Sequence, residues 1–400
     1  MLDKKKKILY ISNVNLDGPF LPGVIHKILG QERAFKKSGF EFDSLYPGDN
    51  KKVTIKKDNG EKLIFSGSRD AYTKGSVYSK LIQHYQISHF GSIDFSNCFN
   101  AIENANYDII YLRFYLPGKD LIVFLERLKK TCNNIIILLE YPTLNIENLF
   151  SNSIVRKISY LMNRNRIKRL NRLSDYFITL TKDKSLFGKP AIFMANGIAV
   201  EDIKPIDVPD FNNQIVLLAV ASDCGFYHGF DKVIKGLSIY KKQKYPVMVS
   251  FRIISNPLSK NVGHLKSLVK ELEVEDLVSF ELPKTRQELS KEYRKVHIGM
   301  GTLALHRINL MDNYSLKHLE YAAFGLPFIM SKGDDHFEGS PFVLTVERDE
   351  EPLDINQVVN FYISLRNKYP SYPQDFRKSV EGHITWDAQL KNVFAIINKA

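Results

Sequence analysis

Cysteine and tryptophan are scarce in this chain of 400 residues, which has three cysteines and one tryptophan. Cys98, Cys132 and Cys224 are too widely spaced, and odd in number, for a disulfide framework or a cysteine-based zinc site. This usage fits a reducing compartment, and we expect a cytoplasmic protein. No run reaches the roughly 18 consecutive apolar residues of a membrane-spanning helix. The apolar run after Lys4–Lys7 is also too short for a signal peptide.

Acidic residues are outnumbered, with 44 Asp and Glu against 56 Lys and Arg and a formal net charge of +12. This excess favours anionic partners such as nucleic acid, anionic lipid or phosphorylated small molecules, or it reflects a solvated lysine-rich surface. No zinc-finger spacing and no RNP-like aromatic motif is present, so we expect no nucleic-acid partner. Hydrophobic residues make up 44% of the chain, enough for the cores of two globular domains.

Short β-rich runs alternate with helical patterns, which predicts parallel sheets with crossover helices and an α/β fold class. A stretch around 189–214 interrupts the alternation with three prolines and an Asn-Gly turn, as expected of an interdomain connection. The predicted parts are an N-terminal Rossmann-like domain (1–193), a linker (194–213), a C-terminal Rossmann-like domain (214–383) and a final helix (384–400) that packs back on the first domain. The predicted strands cover 7–13, 40–46, 107–113, 134–140, 175–180, 214–220, 247–254, 278–282, 297–301 and 326–330, with a hairpin at 51–66.

In each predicted domain, the loop after the first strand could bind an anion. Gly18 to Gly23 precede the first helix, where glycines admit a ligand to the backbone and a helix N-terminus favours an anion; a plain turn is the alternative. The loop matches neither a dinucleotide fingerprint nor a P-loop. In the second half, His228 and Gly229 stand where a helix begins. An imidazole there can donate to a phosphate, or it can simply cap the helix.

The segment from Gly299 to Pro327 combines charged residues of both signs. Asp312 precedes a predicted helix at 315–324 and Glu320 lies within it, so both carboxylates can face a ligand over the helix N-terminus. One could bind sugar hydroxyls and the other a ribose diol. Arg307 and Lys317 add positive charge suited to a diphosphate. An ordinary surface helix of mixed charge is the alternative.

Glu320, the small apolar residues after it, Gly325 and Pro327 together resemble the hallmark of retaining GT-B glycosyltransferases of family 4 (group 1). The Glu-x7-Glu pair of that family appears here as Asp312-x7-Glu320. The resemblance extends over nearly the whole chain. Further motifs that match the family are Gly18–Gly23, Asn196–Ile198, His228–Asp231 and Trp386-Asp387. Shorter motifs, such as Glu140-Tyr-Pro142-Thr143 and Ser315-Leu316-Lys317, resemble a branch of this family that is found in bacterial capsular and exopolysaccharide gene clusters.

The resemblance implies a GT-B fold, with two Rossmann-like domains facing across a cleft, of which the N-terminal one binds the acceptor and the C-terminal one binds the nucleotide sugar. It implies a hexosyltransferase-type enzyme that moves a sugar, with retention, from a UDP- or GDP-sugar to a glycan or polyprenyl-linked saccharide. The nucleotide sugar is a co-substrate, and no metal or other cofactor is expected. The implied catalytic residues are Asp312, His228 and Arg307. The implied donor-binding residues are Glu320, Lys317, Ser315, Leu316, Gly229 and Gly23.

The chain also departs from the family. The usual arginine and lysine after the first C-domain strand are replaced by Ala221-Ser222 and His228, so His228, Arg307 and Lys317 are our candidates for the cationic clamp. No counterpart of the N-domain histidine is evident, and Arg113 and Glu140, at predicted strand ends, are candidates to line the cleft instead. The missing arginine and lysine, and Asp312 in place of glutamate, keep open a non-catalytic partner subunit. A nucleotide-sugar epimerase or hydrolase on the same fold is a further alternative.

A basic amphipathic helix is predicted over 154–173. Its arginines and lysines could dock on an anionic membrane surface, which would place the enzyme peripherally at the inner face of the cell membrane. Alternatively, its apolar side packs on the N-domain while its charges are solvated.

Overall fold

The computed structural model describes residues 5–18, 22–69, 89–113, 117–132, 134–141, 154–312 and 314–399. The chain divides into two compact units. Unit 1 comprises Met1–Ala195 together with Gln389–Ala400, and unit 2 comprises Asn196–Ala388. Each unit has its own sheet and its own hydrophobic core. Among the described residues, no helix is long and apolar enough to cross a membrane.

The sheet of unit 1 has nine strands in the order β4-β3-β2-β1-β5-β6-β7-β9-β8 among the described residues. Strands β1, β2, β5, β6, β7 and β9 are parallel, whereas β3, β4 and β8 are antiparallel additions at the two edges. Their bounds are Lys7–Ile11, Glu41–Pro47, Lys52–Lys56, Lys62–Ser66, Ile109–Arg113, Ile136–Glu140, Tyr176–Thr179, Ser185–Leu186 and Lys189–Phe193 for β1 to β9.

Central strands of this sheet are continuous apolar runs because both faces are covered. Ile8 to Ile11 of β1 are completely buried, for example. The predicted hairpin at 51–66 is confirmed as β3 and β4, and Gly60 adopts a φ of +90° in its turn. Helices bounded within the described part of unit 1 are α1 (Pro22–Lys37), α2 (Phe99–Glu103), α3 (Lys119–Thr131) and α4 (Ile154–Leu173).

Unit 2 contains a wholly parallel sheet of six strands in the order β12-β11-β10-β13-β14-β15. Its strands β10 to β15 are Gln214–Val220, Met248–Ile254, Val278–Glu281, Ile298–Met300, Phe328–Ser331 and Val343–Val346. Its helices are α5 (Phe230–Lys242), α6 (Lys260–Glu271), α7 (Arg286–Tyr293), α8 (Leu316–Phe324), α9 (Ile355–Lys368) and α10 (Tyr372–Ile384). The alternation predicted for this half is confirmed from β10 to β14.

The last helix, α11 (Trp386–Lys399), starts in unit 2 and continues into the segment that belongs to unit 1. Within unit 1, the Phe394 ring lies 5.2 Å from that of Phe35 and 5.7 Å from that of Phe40. The Lys6 side chain also donates to the carbonyl of Ile397 at 2.6 Å. These contacts attach the end of the chain to the core of unit 1.

Two parts of the secondary-structure prediction were wrong. The stretch 189–193, predicted as part of the connection, is strand β9 and pairs with β7. Pro190 hid it, because proline argues against a strand except near a sheet edge, which is where β9 lies. The predicted series also ended at β14, whereas β15, α9 and α10 continue unit 2.

Candidate active site

The donor-site residues predicted in unit 2 lie in loops that follow parallel strands. Strands β10, β13 and β14 are neighbours and run in one direction, so their carboxyl ends share an edge of the sheet. The loop after β10 leads to Gly229, and the loop after β13 leads to Ser315 at the start of α8. Open parallel sheets bind ligands at this edge.

The loop after β10 is held in one conformation by close backbone packing. A 3-10 turn, Phe226–His228, ends at Gly229, whose φ is +71°. A Cβ atom at Gly229 would lie 2.9 Å from the Cβ of Leu303. The amide of Leu303 also donates to the carbonyl of His228 at 3.1 Å. Glycine is therefore required both for its backbone conformation and for the space.

His228 and Lys317 are brought into contact. Lys317 Nζ lies 3.3 Å from His228 Nδ1, and the His228 ring stacks on Phe230 with centroids 5.2 Å apart. Because an ammonium can only donate, Nδ1 accepts and the ring carries its proton on Nε2. Burial, together with the charge of Lys317, lowers the pKa of His228 to about 2. The imidazole is therefore neutral, and its ring N–H is hydrogen-bonded to the backbone of Asp223.

Lys317 is a cation whose hydrogen-bond partner is neutral, although the charge of Glu320 also acts on it from the same helix. Its ammonium lies 5.5 Å from the centroid of the Phe230 ring. Within the part of the chain that the structure describes, it hydrogen-bonds His228 and forms no ion pair with a carboxylate. Burial lowers the pKa of Lys317 to about 8. Such a lysine is suited to an anionic ligand, which would supply the missing counter-charge.

The N-terminus of α8 adds backbone donors beside this cation. Ser315 is the N-cap residue, and its hydroxyl makes no capping hydrogen bond. Leu316 and Lys317 are the first two helical residues, so their amides have no acceptor within the helix. The positive end of the helix dipole, these amides and the Ser315 hydroxyl together form a favourable environment for a phosphate group.

The two acids predicted to bind the sugar and the nucleotide differ in how they are held. Asp312 is partly buried in the loop before α8. Glu320 lies on α8, and its Oε2 accepts a hydrogen bond from the hydroxyl of Tyr293 at 3.1 Å. Burial raises the pKa of Glu320. Tyr293 thus fixes one carboxylate oxygen, while Oε1 makes no hydrogen bond to a described residue.

Arg307 is not part of the His228–Lys317 contact. Its NH1 and NH2 atoms donate to Asp231 at 2.8 and 2.9 Å, and its Nε donates to Glu350 at 3.0 Å. NH1 also donates to the carbonyl of Phe226 at 2.7 Å. Hydrogen bonds to Glu350 and Asp231 raise the pKa of Arg307. The geometry makes Arg307 a support for the loop that carries His228, so its direct role in phosphate binding remains a prediction.

Sequence reasoning missed a buried polar cluster that joins α8 to the loop after β14. His318 Nδ1 lies 2.9 Å from Asp334 Oδ2, and both side chains are completely buried. The other oxygen of Asp334 lies 3.0 Å from Nδ1 of His336. A Cβ atom at Gly301 would come within 2.6 Å of His318 Nε2, so glycine makes room for the ring. The signal available in the sequence was the Asp334-Asp335-His336 run shortly after β14. The contact between His318 and Asp334 ties this loop to α8.

A second feature of the same sheet edge is a cavity of about 220 Å³ at the ends of β11 and β12. Its walls combine apolar side chains with a lysine and a glutamate. The lining residues are Ile253, Ser255, Pro257, Val262, Lys266, Phe280, Glu281 and Leu282. The sequence offered no motif for it.

In unit 1, Arg113 and Glu140 are the last residues of neighbouring parallel strands β5 and β6. Glu140 is buried and paired with Lys27 of α1 at 2.8 Å. It also accepts hydrogen bonds from Tyr111 at 2.7 Å and from Gln31 at 3.2 Å. Although burial opposes it, the charges of Lys27 and Arg113 hold the pKa of Glu140 down at about 2. These residues form one polar group inside unit 1.

The predicted glycine loop of unit 1 is only partly covered, because residues 19–21 lie outside the described ranges. Gly23 lies in the first turn of α1, and a Cβ atom there would meet nothing within 4 Å. Its predicted role in donor binding therefore has no steric argument of its own. Among the described residues, no group of three or more His, Cys, Asp or Glu side chains could hold a metal ion.

No protein-family model and no curated protein matches the chain. Solved structures are similar over almost its full length. A glycosyltransferase from Rickettsia africae has a TM-score of 0.61 at 13% identity, covering 99% of this chain and 98% of that one. The catalytic domain of starch synthase IV from Arabidopsis thaliana, bound to ADP and acarbose, has a TM-score of 0.63 at 12% identity, covering 99% of each chain.

Anabaena HepE in complex with UDP and glucose is similar with a TM-score of 0.58 at 10% identity, covering 99% of this chain and all of that one. At such low identities the likeness is one of fold. The two-sheet α/β architecture and its match to glycosyltransferase structures confirm the fold class predicted from the sequence, and the chain has the GT-B fold.

Proposed function

We propose that the protein is a retaining glycosyltransferase that uses a UDP- or GDP-sugar and transfers the sugar to a glycan or lipid-linked saccharide. The observation that carries the proposal is the N-terminus of α8, where open amides lie beside a lysine with no acidic partner among the described residues. The similar structures bound to UDP or ADP support a nucleoside diphosphate as the ligand.

In this proposal the diphosphate is bound at the start of α8. The amides of Leu316 and Lys317 and the hydroxyl of Ser315 donate to phosphate oxygens, and the Lys317 ammonium supplies the counter-charge. His228, as a neutral group, accepts from Lys317 and so positions that ammonium. Arg307 acts through the loop it supports, since Asp231 and Glu350 occupy its guanidinium.

The nucleoside and the sugar are assigned to the remaining features of the same edge. Glu320 accepts from the ribose hydroxyls with the oxygen that Tyr293 leaves open. The cavity after β11 and β12 is lined by flat and apolar groups such as Phe280 and Pro257, which suit a nucleobase. Asp312, in the loop before α8, is assigned to the sugar.

The reaction proposed is a front-face displacement. The bond between the sugar C1 and the diphosphate oxygen breaks, and the acceptor hydroxyl oxygen bonds to C1 on the same face. The hydroxyl proton passes to the departing diphosphate. The protein contributes by positioning the two substrates and stabilising the charge that develops on the diphosphate, which needs no metal ion.

A polyprenyl-linked acceptor, as in surface polysaccharide synthesis, would bring the enzyme to the inner face of the cell membrane. Helix α4 of unit 1 supports such docking. Ile167 and Leu170 are buried, whereas Arg164, Lys168 and Arg172 are exposed. The neighbouring Leu161 and Met162 are also 65% and 42% exposed, which adds an apolar element to a basic surface.

The deciding experiment is thermal denaturation with a panel of UDP- and GDP-sugars, followed by product analysis with and without acceptors. A ligand at 100 times its Kd stabilises the native state by about 2.7 kcal/mol. We expect one nucleotide class to stabilise the wild-type protein and Lys260→Met, an exposed control, but not Lys317→Met. Turnover of the donor without an acceptor would instead favour an epimerase or hydrolase. Binding without turnover would favour a non-catalytic partner subunit.

A further inference from the structure

Arg113 is the least satisfied charged group in the polar cluster of unit 1. Its side chain is only 13% exposed, and its nearest carboxylate oxygen, Oε1 of Glu140, lies 3.9 Å from its Nε. That Nε is buried and has no hydrogen-bond partner among the described residues. By contrast, the second oxygen of Glu140 already accepts from Tyr111 and Gln31. Buried charged groups without partners are rare, since their desolvation is left uncompensated.

The charge of the cluster is also unbalanced. Lys27 and Arg113 are positive and Glu140 is the one negative group among its described members. Tyr10 and Tyr111 stay neutral, because burial and the charge of Glu140 raise their pKa values well above the ordinary one. One positive charge therefore has no counter-charge within the described part of the cluster.

The position of this excess charge is one where ligands bind. Arg113 ends β5 and Glu140 ends β6, two neighbouring parallel strands, so both lie at the carboxyl edge of the sheet of unit 1. The Lys27–Glu140 ion pair orients the carboxylate beside Arg113 without occupying the guanidinium. A guanidinium held in this way presents a fork that matches the oxygens of a phosphate.

We propose that unit 1 contains a phosphate-binding site built on Arg113, and that the phosphate belongs to the second substrate. The existence of the site depends on the geometry of unit 1 alone. The assignment of its ligand to the acceptor rests on the function proposed above. The phosphate can come from a soluble sugar phosphate or from a lipid-linked phosphate, since both present the same oxygens.

The test compares Arg113→Gln with Arg172→Gln, which removes the same charge from an exposed position in unit 1. Thermal denaturation and calorimetry are run with inorganic phosphate against chloride at equal ionic strength, in the presence of saturating UDP or GDP to fill the site in unit 2. We expect saturable stabilisation of the wild type and Arg172→Gln, and a loss of phosphate affinity of tenfold or more in Arg113→Gln. If phosphate stabilised all three proteins equally, or none of them, the proposed site would be wrong.

A second readout separates a ligand site from a structural arginine. Without phosphate, the melting temperature of Arg113→Gln should change little, because Lys27 still neutralises Glu140 at 2.8 Å and the variant also removes a buried guanidinium whose Nε is unsatisfied. A lower melting temperature of the free variant, with phosphate affinity unchanged, would contradict the proposal. Nucleoside diphosphate affinity should be equal in Arg113→Gln and the wild type. If the wild type binds no nucleoside diphosphate, the proposed function fails while the phosphate comparison still decides the site.

The source of the phosphate is distinguished with a hexose phosphate and with a detergent-dispersed polyprenyl phosphate. Competition with inorganic phosphate by the first assigns a soluble second substrate, and competition by the second assigns a lipid-linked one. Binding of inorganic phosphate with competition by neither would overturn the assignment to the acceptor.

Discussion

Lys27 in unit 1 and Lys317 in unit 2 both lie near the carboxyl ends of parallel strands, but their partners differ. Lys27 is paired with the buried carboxylate of Glu140 at 2.8 Å. Lys317 contacts the neutral imidazole of His228 and the ring of Phe230. A charge that is already paired chiefly maintains the fold, whereas a charge without a described carboxylate partner is available for a ligand. The two units should therefore respond to substitution in opposite ways.

The largest effect is expected from Glu140→Gln. It leaves Lys27 buried without its counter-charge, and breaking a buried pair in this way costs about 3–5 kcal/mol of stability. The free energy of unfolding, from urea titration, measures the loss, and Lys27→Met/Glu140→Gln should recover part of it. If the unfolding midpoint of Glu140→Gln equalled that of the wild type, the paired lysine of unit 1 would not be a stabilising residue, and the contrast with Lys317 would fail.

The same pair predicts an acid dependence. The pKa of Glu140 is held down at about 2 against an ordinary value of 4.5. Its contribution to stability is therefore complete above about pH 4.5 and is lost as the pH falls towards 2. Stability measured from pH 6 to 3 should fall less steeply in Glu140→Gln than in the wild type. Parallel curves would contradict the assignment.

Lys317→Met should show the opposite behaviour. Removing a half-buried cation whose hydrogen-bond partner is neutral should leave the stability of the free protein nearly unchanged. Nucleoside diphosphate binding should weaken by about 30-fold, or about 2 kcal/mol. Calorimetric titration of UDP and GDP, beside melting of the free variant, checks both statements. Unchanged affinity with a lower melting temperature would make Lys317 a structural residue like Lys27.

The lowered pKa of Lys317, about 8, gives this comparison a pH signature. A bound diphosphate requires the charged ammonium, so nucleotide affinity should fall as the pH rises through about 8. Stability of the free protein should instead rise over the same range, because the unfolded chain binds the proton more tightly. Lys317→Arg keeps its charge and should abolish the pH dependence of binding. A wild-type affinity that is flat between pH 7 and 9 would speak against a direct contact.

These contrasts also explain what the sequence could and could not predict. The strands and helices around α8 follow from apolar periodicity. Lys317 and Ser315 were predicted as donor-site residues from their place at the start of the predicted helix and from the resemblance, and the structure places both at the N-terminus of α8. Nothing in the sequence indicated that Asp231 and Glu350 bind the guanidinium of Arg307, because they lie 76 and 43 positions away from it. The His318–Asp334 pair was missed for the same reason: its meaning depends on burial, which a single sequence does not reveal.

A smaller effect is expected from Glu320→Gln. The amide retains the shape but loses the charge that should accept from ribose hydroxyls, so nucleoside diphosphate affinity should fall by about tenfold, or about 1.4 kcal/mol. The melting temperature should hardly change, since burial already disfavours the ionised form. Tyr293→Phe is the matched control, because it removes the hydrogen bond to Oε2, the carboxylate oxygen that is not assigned to the ribose, and leaves the carboxyl group itself unchanged. Full affinity in Glu320→Gln would place the ribose elsewhere.

The smallest effect concerns the surfaces of the two units. Each basic residue near an anionic membrane contributes about 1 kcal/mol, so Lys168→Gln on α4 should reduce partitioning to anionic vesicles by about fivefold. Lys260→Gln, equally exposed on α6 of unit 2, removes the same charge and should have no effect. Co-sedimentation at two salt concentrations measures both, and binding of the wild type should weaken at the higher one.

Equal losses in the two variants would mean that net charge, rather than the surface of α4, governs binding. Wild-type binding to neutral vesicles as strong as to anionic ones would exclude an electrostatic role for this helix.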